Sequence, residues 1–516
     1  MIEKLDLDLA FNRTLYGLNE EVNFIDRSLA LQLIQRNYEA WKEELSKEIE
    51  SGYEPSDATP FLVPKGGDLV RNGSHLTIKD RTIYNACVTA LQPDIYGAVG
   101  WSQGEIDISY QLSNEHELEG WFDGNYFHFW EQFREDTISK LDSYKWLAEA
   151  DIASYYDNID IRSLESDLER EEVDKDINNL LVKCLQRWST FEGRGIPQAH
   201  NASHILAKLY LNTFDEEMNR WGFDHLRYND DIRVFCETRA EARQAVKKIF
   251  SSLSQRGLSL QSAKTKISKR ESAVRSINKV QEIIDTTQNQ QESIVQVETS
   301  GTYNDVFLSL PPEDIDDKVI QEATQRYLIE ADEDEFSSTL FHYLINRLGK
   351  IQDGSAVEYC LSLLEERPEE TPYSLEYLER LGVTDKMRET ITDYLYSEKT
   401  VYEFQLHLIY EWFLESNTNH ITNERLISKA RSLAFDGDRD FYLRNTTRRY
   451  LGRYGVPGDL IKLEKEYSAT SSVREQVVIL ASLENRVRSK RNGFYAGVKD
   501  DGWAHKEVVE LIKTRS

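Results

Sequence analysis

The stretch HLRYNDDIRVFCE, residues 225–237, sets two adjacent aspartates, Asp230 and Asp231, between two short apolar runs. The alternation around them reads as a β-hairpin with the carboxylates at its turn. Adjacent carboxylates repel each other. A bound divalent cation offsets that repulsion, and a solvated turn merely tolerates it. The choice between these two solutions governs the reading of the whole chain.

Upstream, EADIASYYDNID (149–160) ends an apolar, strand-like lead in Asp151, followed by Tyr155 and Tyr156. A third carboxylate on a neighbouring strand completes a set suited to two Mg²⁺ ions, which sit roughly 3.5–4 Å apart in such sites. Mg²⁺ takes one or two carboxylates plus phosphate oxygens, so three aspartates suit nucleotide chemistry. Between the two segments, GRGIPQAHNASHILAKLYLNTFDEEM places Gly193, Gly195 and Pro197 in a loop ahead of a helix. Downstream, GLSLQSAKTKI (257–267) carries Lys264, placed to meet a phosphate or to protonate a leaving pyrophosphate. Near the start, VPKGGDLVR spaces Lys65 and Arg71 across a Gly-Gly turn, a reasonable triphosphate clamp. His200 and His204 are four apart on the expected helix; with no acidic or Cys companion nearby they read as structural.

In this order and spacing the residues resemble reverse transcriptases, specifically the bacterial branch related to group II intron enzymes. Asp151 with Tyr155, Tyr156 and Asp157 is similar to motif A, and Gly195-Ile196-Pro197-Gln198 with Ser203 to motif B. Tyr228-Asn229-Asp230-Asp231 resembles the YxDD of motif C, and Gly257 through Thr265 resembles motif D. Lys65, Arg71 and LTIKDRTIYNACV resemble the fingers motifs. The resemblance covers about residues 55–268. It implies that Asp151 and Asp230 are the main ligands of Mg²⁺ or Mn²⁺, with Asp231 beside them. Tyr156 falls at the family's steric gate, so dNTPs rather than rNTPs are the expected substrates, and Gln198 lines the nascent base pair. Ala199 stands where the family usually has Gly, and its methyl narrows close backbone approach.

Bulk properties bound the rest. Over 516 residues, 40% hydrophobic and 29% charged, the composition is that of a soluble globular protein with two to four domains. No apolar run reaches membrane-spanning length. The opening MIEKLDLDLAFNRTLYG has no apolar core of the secretory kind, so a cytoplasmic location is expected. Cys87, Cys184, Cys236 and Cys360 form no CxxC pair and read as reduced thiols. The net charge of −28 argues against a surface that grips duplex nucleic acid throughout. Local basic segments remain at 256–275, 444–455 and 485–493.

Beyond residue 310 strand signals fade. Phe336, Leu340, Leu344 and Leu348 repeat at helical spacing, with Gly349 at the expected C-cap. Val401, Phe404, Leu408 and Trp412 predict one apolar face, and Ser472 with Glu475 a capping box. The expected architecture is α+β: an N-terminal helical segment (1–54), reverse-transcriptase-like fingers and palm (55–275), a polar connection (276–310) and an all-α HEAT-like repeat domain (311–516). A palm followed by helical repeats is similar to the abortive-infection (Abi) and related defence-associated reverse transcriptases of bacteria. That resemblance implies a homo-oligomer that makes single-stranded DNA without a template and attaches it to a tyrosine of the protein. Candidate priming residues are Tyr16, Tyr53 and Tyr303, each in a polar stretch expected to be mobile. Two other readings stand beside it: a templated enzyme copying a partner non-coding RNA, and a phage-sensing scaffold with a vestigial palm.

Overall fold

The computed structural model describes residues 2–20, 27–66, 69–115, 118–124, 126–198, 200–277, 317–329, 336–416 and 424–515. Ala199, Tyr303 and most of the expected polar connection lie outside them. The chain divides into two compact units: residues 1–21, 48–60 and 73–343 form one, and 22–47, 61–72 and 344–516 the other.

In the first unit the opening stretch is a hairpin. Strand β4 (Asp224–Tyr228) turns through Asn229 and Asp230 into β5 (Asp231–Cys236), and Tyr228 pairs with Asp231. Asn229 carries a φ of +54°, a left-handed conformation that Asn tolerates better than most residues. β5 pairs antiparallel with β3 (Trp146–Asp151), which pairs on its other side with β6 (Lys266–Lys269). The sheet order is therefore β4-β5-β3-β6. Apolar residues from β3, β4 and β5 (Leu147, Leu226, Phe235) pack with Phe129 and Phe133 of helix α1 (Tyr126–Leu141). Helix α2 (Arg239–Gln255) packs on β3 and β5. Helix α3 (Asn201–Arg220) is nearly all buried, and it rests on the largely buried helix at Ile78–Val99. All four cysteines are free and buried, as reduced thiols should be.

The second unit is helical apart from part of one hairpin. Its helices, such as Glu403–Glu415, Phe441–Tyr454 and Val473–Ser482, contact one another largely in chain order. Three local expectations change here. The helix expected to stop at Gly349 continues to Lys350, and the left-handed residue is Gln352 (φ +58°). A Cβ at Gly349 would lie 3.1 Å from Arg380 Cδ, so the glycine admits a neighbouring helix rather than capping its own. Val401 is 70% exposed and precedes its helix, whereas Phe404, Leu406, Ile409, Trp412 and Phe413 are buried, so that helix has apolar contacts on several faces. Ser472 caps its helix through Glu475 N, but the Glu475 carboxylate joins Arg444 and Arg448 instead of closing a capping box.

The N-terminal segment is helical, over Leu7–Glu20, Arg27–Arg36 and Tyr38–Glu50, and is divided between the two units. Residues 22–47 belong to the helical unit, where Asn37 and Arg36 hold Glu507 of the last helix, at 3.1 and 3.7 Å. Residues 61–72 belong there too. They are the distal part of a two-stranded hairpin, Thr59–Lys65 and Leu69–His75, and Phe61 stacks on Phe404 at 5.3 Å. Its side chains meet helices far along the chain, a tertiary contact with no local signature.

Candidate active site

Asp151 ends β3 and Asp231 opens β5, and the two are direct cross-strand partners. Side chains at such positions project from the same face of the sheet. The hairpin turn adds Asp230, whose backbone carbonyl accepts from Ile152 N at 3.2 Å. Burial, then the charges of Asp231 and Asp151, raise the Asp230 carboxyl to about 6. Burial also raises Asp231, opposed by Arg233. The loop before β6 closes the site: Gln261 N donates to Asp151 O at 2.8 Å, and Lys264 Nζ reaches Asp151 Oδ2 at 2.5 Å. Burial would lower Lys264, yet its bond to Asp151 and the charges of the three aspartates leave it raised.

Among the described residues, no three His, Cys, Asp or Glu side chains stand arranged as a metal-holding set. The ammonium of Lys264 is the cation on Asp151 in this structure. The donor set nevertheless suits a hard divalent ion: three neighbouring carboxylates, one of them held well above its ordinary pKa by burial and then by the charges of the other two.

The loop ahead of α3 is laced to the segment after β3. Ile196 N donates to Tyr156 O at 3.0 Å and Gly195 N to Ile159 O at 2.9 Å. Gly195 has a φ of +94°, and a Cβ there would sit 3.3 Å from Asp157 O, so only glycine lets the loop lie this close. Tyr156 is buried, and its hydroxyl touches His204 Nδ1 at 2.5 Å and Asn229 Oδ1 at 3.3 Å. Gln198 lies in the same loop. His200 Nε2 meets Ser74 O at 3.1 Å, and His204 Nδ1 meets the Tyr156 hydroxyl.

Sequence reasoning missed a buried charge cluster behind the turn. Arg227 on β4 binds Asp215 of α3 at 2.6 Å and Asp107 at 2.8 Å, and Lys208 of α3 also binds Asp107, at 2.5 Å. Arg227 Nη1 then donates to Asn229 O at 3.1 Å, while Asn229 N donates to Ser109 Oγ at 3.0 Å. The signal was a lysine inside the apolar run ILAKLYL with an aspartate seven residues on, on the same helical face.

The remaining candidates lie on other elements. Lys65 and Arg71 sit on the hairpin of the helical unit, where Gly66 lies against Glu369 and the Arg71 charge acts on Tyr373. Tyr53 is 2% exposed and donates to Asp80 Oδ1 at 2.7 Å, so the mobility expected of a primer is missing. Tyr16 is 40% exposed but lies on a regular helix, Leu7–Glu20. The basic segments are braced internally: Arg256 pairs with Asp167, Lys266 with Glu149, Arg270 with Asp142, Arg449 with Glu411, and Arg444 and Arg448 with Glu475.

Residues 63–294 match the family model described as reverse transcriptase (RNA-dependent DNA polymerase). The chain carries a reverse transcriptase domain. It is a nucleotidyltransferase domain, and it spans every candidate above except Tyr16, Tyr53 and Tyr303. No curated protein matches the chain. Among solved structures, Candida tropicalis telomerase with a TWJ fragment of telomeric RNA is 11% identical with a TM-score of 0.32, covering 73% of this chain and 66% of that one. Apo telomerase from the same organism is 13% identical with a TM-score of 0.32, covering 86% and 73%. Telomerase from Candida albicans is 10% identical with a TM-score of 0.30, covering 92% and 68%. The chain thus spans about two thirds of the first of these structures. Among the described residues, no helix is long and apolar enough to cross a membrane.

Proposed function

We propose that the chain is a DNA polymerase of reverse-transcriptase type that adds dNTPs by a two-metal mechanism. The observation that carries this reading is the carboxylate cluster: Asp151 opposite Asp231, with Asp230 raised to about 6 by burial and then by the charges of its neighbours. Asp151 and Asp230, with Asp231, would hold Mg²⁺ or Mn²⁺. Bound there, the ions lower the pKa of the attacking hydroxyl and stabilise the leaving oxygen. Lys264 then serves the phosphates of the incoming nucleotide, Tyr156 walls the sugar, and Gln198 faces the base.

The finer reading is template-independent synthesis primed by a tyrosine, in an Abi-type defence against phage. Its support is electrostatic. The net charge is −28, and many cations of the basic segments are already committed to carboxylates. A polymerase tracking a long duplex relies instead on Lys and Arg released to phosphates. A templated enzyme copying a partner RNA is the second reading, favoured by the family description itself. The clustered aspartates speak against a vestigial palm.

The experiment is incubation of purified protein with Mg²⁺ and each labelled dNTP without template, followed by a denaturing gel before and after protease. Label that migrates with protein until digestion supports tyrosine priming, and mass spectrometry then names the residue. Product free of protein, or made only when RNA is added, moves the templated reading ahead. No incorporation under either condition, or equal incorporation by Asp231→Ala, removes the polymerase reading.

A further inference from the structure

A steric gate discriminates only if its ring cannot move. Burial restricts the ring of Tyr156, but a hydroxyl tether sets its tilt. That tether is His204 Nδ1 at 2.5 Å, with Asn229 Oδ1 at 3.3 Å on the other side. A phenol has one hydrogen. If it is donated to Asn229, His204 must donate through Nδ1, and the relay runs His204 to Tyr156 to Asn229. His204 is itself pinned. Tyr110 stacks on it face to face, with ring centroids 3.9 Å apart and 9° between planes. Tyr110 adopts a φ of +40°, an uncommon conformation for an aromatic residue. Burial holds the His204 ring neutral, lowering it to about 3, so the tether does not change with pH in the ordinary range.

We propose that His204, seated on Tyr110, is a positioning residue for sugar discrimination: it locks the Tyr156 ring where a ribose 2′-hydroxyl would lie. The inference rests on the gate reading of Tyr156. It adds that the selectivity of this chain depends on a histidine of α3 that touches neither nucleotide nor metal. The tether also ties the gate to the hairpin turn that carries Asp230, since Asn229 accepts from the same hydroxyl.

The test measures equilibrium binding of dATP and ATP to the full chain, with Ca²⁺ in place of Mg²⁺ to prevent turnover. Variants are Tyr156→Ala, Tyr156→Phe, His204→Leu and His204→Asn. The Asn amide stands about where Nδ1 does, whereas Leu fills space without a polar atom. Wild type should prefer dATP, and Tyr156→Ala should abolish the preference. His204→Leu and Tyr156→Phe should each cut it about five- to tenfold, the effect of one lost hydrogen bond. Their double variant should cut it no further, because both break the same tether. The loss should appear as tighter ATP binding, and His204→Asn should restore most of the preference. If Tyr156→Ala loses discrimination but Tyr156→Phe and His204→Leu keep it, the tether is irrelevant and the inference fails while the gate stands. If Tyr156→Ala keeps wild-type discrimination, the gate reading falls and the inference with it. Should His204→Leu fail to fold, Tyr156→Phe still decides, since it cuts the tether without touching the histidine.

Discussion

Replacing Asp230 by Asn should make the metal-free protein more stable. In the folded chain burial and two neighbouring carboxylates hold the Asp230 carboxyl at about 6, against an ordinary value of 3.8. The folded state therefore binds that proton roughly a hundredfold more tightly than the unfolded chain, worth about 3 kcal/mol. Because Asp230 is only partly buried, solvent screening halves this to about 1.5 kcal/mol. The sign follows from linkage. Well below pH 4 the carboxyl is protonated in both states and there is no penalty. As pH rises from 4 to 6 the unfolded chain ionises freely and the folded one cannot, so stability falls; above pH 6 the penalty is complete. Asp230→Asn carries no such charge. It should exceed wild type by about 1.5 kcal/mol at pH 8, with most of that gap gone at pH 4, read by urea denaturation at both values in EDTA. Millimolar Mg²⁺ should then close the gap at pH 8, because only the wild type gains from a cation. A variant that is less stable at pH 8, or a gap unchanged between pH 8 and pH 4, would refute the idea that these carboxylates are held together against their repulsion.

Three further outcomes follow from the same structure. Lys264→Gln removes the ammonium that sits on Asp151, so Mn²⁺ should bind two- to fivefold more tightly by electron paramagnetic resonance titration, a modest gain because Lys264 is more than half exposed; weaker binding would show that the lysine helps the ion rather than competing with it. Glu475→Gln strips the carboxylate from Arg444 and from the buried Arg448, which should cost about 2–3 kcal/mol and lower the melting temperature of the chain by several degrees in calorimetry. Asp107→Asn leaves the buried Lys208 with no ion-pair partner within salt-bridge distance among the described residues and weakens the hold on Arg227; a loss of about 3–5 kcal/mol in chemical denaturation is expected, and a loss below 1 kcal/mol would mean the cluster is wetter than its burial indicates.

What the sequence disclosed, it disclosed through local pattern. Alternation around Asp230 gave the hairpin, and the apolar run after His200 gave α3, because period-2 and period-3.6 signals need no knowledge of distant residues. The Ser472 cap was legible for the same reason, since the bond to Glu475 N lies within one turn. Failures arose where a distant partner outranked the local rule. Gly349 looked like a cap and proved to be a contact with Arg380. Glu475 looked like a cap partner and was claimed by two arginines some thirty residues away. Tyr53 looked mobile in a polar stretch, but Asp80 draws its hydroxyl into the core. The hairpin of Lys65 and Arg71 shows a partner of the same long-range kind: Phe61 stacks on Phe404, which groups residues 61–72 with the helical unit, while the reverse transcriptase match begins at residue 63 and includes both cations.

Asn229 stands between Tyr228 and the two aspartates. Asn229 is held at three of its polar atoms by residues from outside the turn. Its N–H goes to Ser109, its carbonyl accepts from Arg227, and its side-chain oxygen accepts from Tyr156. Arg227 is in turn fixed by two buried carboxylates, and Ser109 donates to one of them, Asp107, at 2.7 Å. A turn that water merely tolerates has little use for such anchorage, because solvated carboxylates swing apart and relieve their own repulsion. Here the anchored backbone keeps Asp230 beside Asp151 and Asp231, where burial, and then the charges of those two, raise its carboxyl. Strain of this kind persists only where surrounding structure enforces it. The buried charge cluster is that enforcement; on the proposed polymerase reading, a cation held by Asp151, Asp230 and Asp231 would relieve the repulsion between them.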